Sequence, residues 1–261
     1  MYSIRVFFIG GLISVRALFS WFSPWIYIPS LLIAPIFQIL LFANLGRAAN
    51  VGSDAFYLVG NALQYIAIPC VFAMAKTVAG ERFTQTLGII LASPAGRIPI
   101  FLGRSVPVLL NGCVVAMFSL AFGALLLGVD IPGSAWAPIL LVVTVAAASC
   151  TGLGMIIAAL ALRVRETAVL SNITFGILLI FCGANVPLSA LPTWMAEVGA
   201  WLPLTHAIEA GRAVADGGGL AGVATLLLWE AGIGALYFGI GLATLGYFEK
   251  QSRRTASLER S

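Results

Sequence analysis

The chain has 261 residues, 61% apolar and 9% charged, where an ordinary soluble domain carries about 25% charged residues. So few ionisable groups cannot cover a water-soluble monomer of this length, and the remaining apolar surface must face lipid. The net charge of +4 is then no nucleic-acid footprint, because the basic residues sort by membrane side.

In chain order, residues 1–23 come first. They are apolar but interrupted by Arg5 and Arg16, which a helical period of 100° per residue places on nearly the same face. This segment is expected to be an interfacial helix lying along the membrane. No small-residue cleavage site follows its apolar part, so a signal peptide is not expected.

Six apolar runs follow, each near the roughly 20 residues a helix needs to cross a bilayer. They are Trp25–Leu45, Phe56–Ala79, Ser105–Gly128, Trp136–Leu162, Thr167–Val186 and Ala221–Tyr247. Pro29, Pro35 and Pro69 fall inside them and predict kinks, which membrane helices tolerate when neighbours satisfy the freed backbone groups. Ala231, Ala235, Gly239 and Ala243 recur every four residues and predict a smooth ridge for close helix contact. Cys70, Cys113, Cys150 and Cys182 each sit alone in an apolar run and read as small buried side chains.

Alternate loops then collect the positive charge. Every Lys and Arg except Arg47 and Arg212 falls on one side, so both termini are expected in the cytoplasm. Trp21, Trp136, Trp194 and Trp201 lie near the expected water boundaries. The fold class expected is an all-α membrane protein with six transmembrane helices, organised as one domain over residues 1–261.

Two loops are longer than connectors. The cytoplasmic one, residues 80–104, begins with charge, continues through Leu87, Ile89, Ile90 and Leu91, and stops at Ser93-Pro94. The residue before a proline is pushed out of helical geometry, so a short helix over Glu81–Ala92 is expected, with an apolar face flanked by Glu81, Arg82 and Arg97. Such a helix either docks a cytoplasmic partner or floats at the lipid headgroups. The second loop, residues 187–220, is external and holds most of the remaining polar residues of that side.

The first loop carries Glu81, Arg82, Thr86, Leu87, Ser93, Pro94, Arg97, Gly103 and Arg104 in an order that resembles the segment between helices 2 and 3 of ABC-2 type transporter permeases. These are the membrane subunits of ATP-binding cassette exporters. The second loop is similar to the family's stretch between helices 5 and 6, through Pro187, Leu191, Pro192, Trp194, Pro203, Leu204, Thr205, Ala207 and Arg212. The resemblance covers essentially the whole chain. It implies an N-terminal interfacial helix, a cytoplasmic coupling helix that sits in a groove of a partner ATPase, and short external helices between helices 5 and 6. The implied coupling residues are Glu81, Arg82, Thr86, Leu87, Ser93, Pro94 and Arg97. Gln85 and Gly88 depart from the family's glycine and glutamate at these places, which makes the segment a divergent one. The second permease of the pair is either another copy or a different chain.

The chemistry available is limited. A P-loop needs GxxxxGK[ST], and neither Lys76 nor Lys250 follows a glycine. The chain is therefore expected to be no enzyme and to bind no cofactor itself, with ATP and Mg held by the partner ATPase. Glu230 is the one acid inside an expected span, and a charge there costs roughly 2.5–3.5 kcal/mol on insertion scales. It is a candidate for a structural polar contact, a pore or substrate contact, or proton coupling. The single histidine, His206, reads as an ordinary polar residue with no metal or triad partners nearby.

Cargo is the remaining question. Few charges and 16 Phe, 6 Trp and 6 Tyr suit an amphipathic molecule, and the compact external loops resemble the drug and antibiotic branch of the family. A polysaccharide or glycolipid exporter is the alternative, and an ion-coupled secondary transporter is a further one. A multi-pass protein of a bacterial inner (plasma) membrane is expected.

Overall fold

The computed structural model describes Trp25 and residues 28–76, 97–161, 163–164 and 166–255. The expected interfacial helix over residues 1–23 and the helix expected over Glu81–Ala92 lie outside these residues. Within them the regular structure is helical, with no strand.

Among the described residues five helices are long and apolar enough to cross a bilayer: α1 over Ile28–Ala49, α2 over Asp54–Lys76, α3 over Arg97–Leu127, α4 over Trp136–Leu160 and α8 over Leu220–Thr255. Shorter helices are α5, Thr167–Phe181, α6, Thr193–Ala200, and α7, Thr205–Ala215. The apolar α5 has 15 residues, or about 22 Å at 1.5 Å per residue, against roughly 30 Å of hydrocarbon. Its helix ends at Phe181 rather than continuing to Val186, and Gly183 at φ 78° begins an irregular segment.

Two of the three expected kinks are π turns. Ile28–Ile33 contains Pro29 and Ile68–Phe72 contains Pro69; a proline lacks the N–H that the regular ladder needs. Pro35 sits in the first turn of the α-helical part of α1, directly after the π turn. Ser53 caps α2 by accepting a hydrogen bond from Phe56 N at 3.2 Å.

The bundle is built around α2. In its most apolar window 89% of residues are buried, against 28% for α1 and 22% for α8. The outer faces of α1 and α8 carry Phe37, Leu41, Leu45, Leu228, Trp229 and Leu236, all at least half exposed. An apolar face of that extent requires lipid or another subunit.

Helix α8 lies along α4. The contact is close because it is made by glycines: a Cβ on Gly152 would stand 2.5 Å from Gly234 O, and one on Gly241 would stand 2.6 Å from Met155 Cγ. The expected ridge of Ala231, Ala235, Gly239 and Ala243 is instead exposed. Helix α7 packs against α2, α4 and α8, so it is inserted among the long helices at one end of the bundle. Cys70, Cys150 and Cys182 are buried and Cys113 is half-buried, all as free thiols.

Candidate functional site

The expected coupling residues Glu81, Arg82, Thr86, Leu87, Ser93 and Pro94 lie outside the described residues, and Arg97 is the first residue of α3. What the structure does describe is a polar core that runs from the end of the bundle where α7 is inserted toward its middle. It has three parts.

The first is Glu230, on α8 and fully buried. The residue preceding α7 is Leu204, whose side chain cannot accept a hydrogen bond, and whose backbone is left-handed at φ 79°. A branched aliphatic residue held there costs about 1–3 kcal/mol. The cap comes from another helix: Glu230 Oε1 accepts from Leu204 N at 2.8 Å and Oε2 accepts from Ala207 N at 3.3 Å. A carboxylate at the positive end of a helix is stabilised by both the unpaired N–H groups and the helix dipole. The Glu230 carboxylate thus fastens α7 to α8. Thr205 and His206 add bonds to the end of α6, at 2.6 Å to Gly199 O and 3.1 Å to Ala200 O.

The second part is Arg212, near the other end of α7. Its Nη1 donates to Gly183 O at 2.9 Å, its Nη2 to Ala184 O at 2.8 Å, and Nε and Nη2 both reach Phe56 O, at 3.3 and 3.2 Å. The guanidinium also lies 3.5 Å from the centre of the Phe56 ring. Non-helical backbone inside a membrane protein needs partners for its polar groups. Arg212 supplies them for the segment that follows α5. Room for it exists because α2 has glycine at position 60, where a Cβ would stand 2.3 Å from Ala184 O.

The third part is a cluster of four neutral amides. Gln38 on α1 donates from Nε2 to Asn61 Oδ1 at 3.0 Å and to Gln64 Oε1 at 2.8 Å, both on α2. Asn61 donates from Nδ2 to Tyr57 O and to Asn185 Oδ1, each at 2.9 Å. The direction of every amide follows from one group. The Tyr57 carbonyl only accepts, so the Asn61 nitrogen must face it; the Asn61 oxygen then faces Gln38, whose nitrogen in turn requires the Gln64 oxygen. Asn185 is oriented by the same nitrogen of Asn61. All the oxygens of Asn61, Gln64 and Asn185 are therefore engaged. The nitrogens Gln64 Nε2 and Asn185 Nδ2 are buried without a partner, at about 1–3 kcal/mol for each unsatisfied group.

Glu230 stands out in sequence as an acid within an apolar run. Arg212 was visible as the arginine of the second loop's family pattern, with no role attached, and Gln38, Asn61, Gln64 and Asn185 gave no motif; the faint signal is an uncharged amide inside an apolar run.

The sequence model of the ABC-2 type transporter family matches residues 10–215. No curated protein matches the chain. The match spans α1 to α7, including the residues of the polar core other than Glu230 and the segment 80–104. The chain belongs to the ABC-2 type transporter family, as a multi-pass membrane component of a transporter rather than a catalytic domain.

Proposed function

We propose that the chain is the permease subunit of an ATP-binding cassette exporter, pairing with a second permease to form the path for an amphipathic drug or antibiotic. The observation that carries this reading is the family match over residues 10–215, since permeases of this family generally work with ABC ATPases. ATP and Mg belong to that separate ATPase. The chain's contribution is mechanical: Glu81, Arg82 and Arg97 set the register of the docked segment, and Thr86, Leu87 and the Ser93-Pro94 stop shape its apolar side. Closing of the ATPase pair then biases one of two arrangements of the bundle.

The positive-inside distribution supports a plasma-membrane location with both termini cytoplasmic and α6 and α7 outside. The 36 residues of α8 extend about 54 Å, beyond a bilayer's roughly 30 Å core. At its far end Arg163 hydrogen-bonds Gln251 and lies 5.1 Å over the Phe248 ring. That lock makes the turn between α4 and α5 move with α8, which suits an element receiving force from a soluble partner.

Glu230 enters this reading as a cap for α7, its oxygens both taken by backbone N–H groups. The experiment is an efflux assay in cells producing the chain with its ATPase and loaded with an amphipathic antibiotic. Efflux is expected to survive a protonophore and to stop on ATP depletion. Efflux that follows the proton gradient instead would make the chain a secondary transporter.

A further inference from the structure

We propose that Gln64 and Asn185 form a donor-only binding site that selects neutral, oxygen-bearing cargo, such as a polyol or a lactone, over cations. The inference rests on the reading of the chain as a permease and adds the class of molecule it takes.

Two unpartnered amide nitrogens belong to one hydrogen-bonded cluster, and Gln64 is fully buried. The cluster cannot satisfy them by turning an amide over. Turning Gln64 would set its nitrogen against the Gln38 nitrogen, and turning Asn185 would set its nitrogen against that of Asn61. The missing partner is an acceptor from outside the cluster.

Depth narrows its source. Gln64 lies ten residues into α2, about 15 Å from the helix start at 1.5 Å per residue. That is near the middle of a bilayer's roughly 30 Å hydrocarbon core, well below the ester carbonyls of lipids. Gln38 and Asn185, at the edge of the cluster, are half-exposed on the flank between the lightly packed α1 and the broken end of α5.

Charge narrows it further. The charged side chains held in this part of the bundle, Arg212 and Glu230, are both bound by backbone groups. Glu209, the carboxylate that acts on Arg212, is exposed on α7 and takes no part in the amide cluster, and the cluster's free amide N–H groups repel an ammonium. A carbonyl, ether or hydroxyl oxygen fits.

The full-length chain in lipid nanodiscs is titrated with octyl glucoside, a neutral polyol, and with octylammonium, a cation on the same tail. Wild type is expected to bind octyl glucoside saturably and octylammonium only as empty nanodiscs do. Gln64→Glu keeps the oxygen that faces Gln38 and replaces the donor nitrogen with an acceptor. It is expected to weaken octyl glucoside about tenfold and to make octylammonium binding saturable. Asn185→Asp makes the same exchange and gives the test if Gln64→Glu fails to fold. The proposal is overturned if wild type shows no saturable octyl glucoside binding, as when water alone fills the site, or if the folded variants keep the wild-type preference. Binding is read without ATPase or nucleotide, so such a failure leaves the ATP-driven reading standing.

Discussion

At the scale of single residues, the polar core joins positions far apart in the chain. Arg212 reaches Phe56, 156 residues away, and Ala184, 28 residues away. Arg212→Lys replaces a planar fork with a single point of donors that cannot span three carbonyls, and is expected to cost about 2 kcal/mol of stability, with Arg212→Leu costing more. Thermal unfolding in nanodiscs reads both. Glu230→Gln keeps an oxygen for Leu204 N and is expected to lose roughly 1 kcal/mol, while Glu230→Leu leaves two N–H groups without acceptors and loses about 2–4 kcal/mol. Equal unfolding temperatures for wild type and Glu230→Leu would contradict the capping role. Glu230 was legible as an anomaly because a buried acid is costly wherever it sits. Its partner was not, since backbone N–H groups carry no signature in a sequence and Leu204 is an unlikely-looking helix cap.

At the scale of elements, length and hydropathy located the long helices, because a bilayer imposes one length on any helix that crosses it, but not their polar extensions: α3 begins at Arg97 rather than Ser105 and α8 runs to Thr255 rather than Tyr247. The same rule overextended the fifth span. Residues 182–186 carry one polar side chain, Asn185, in an otherwise apolar stretch that could continue α5, and the helix ends where Gly183 turns left-handed and Arg212 donates to its carbonyl. The small-residue ridge on α8 is a second case. A four-residue rhythm marks a face but does not say which face meets a neighbour, and the contact with α4 uses Gly234 and Gly241 instead. Gly152→Val is expected to push α4 from α8 and cost about 2 kcal/mol or more, as overpacking does. Gly239→Ala, with nothing within 4 Å of its Cβ, is expected to leave the unfolding temperature of the subunit within the small range of surface changes, about 0.5 kcal/mol. A reversed order of the two would mean that α4 and α8 are not packed through their glycines.

At the scale of the whole molecule, composition alone required lipid, and the order of residues in two loops pointed to the family that the match over residues 10–215 shows. The amide cluster was out of reach because it is assembled from α1, α2 and the end of α5, which only the packed bundle brings together. The central claim is that this membrane half draws its power from a soluble ATPase gripping the segment between α2 and α3. It is tested most directly by isolating the full chain from its native membranes in mild detergent and measuring the ATP hydrolysis that accompanies it, beside the double variant Glu81→Lys, Arg82→Glu. The account predicts ATPase activity with the wild-type chain and its loss from a variant still inserted in the membrane. Undiminished ATPase activity accompanying the variant, or none with either chain, would contradict it.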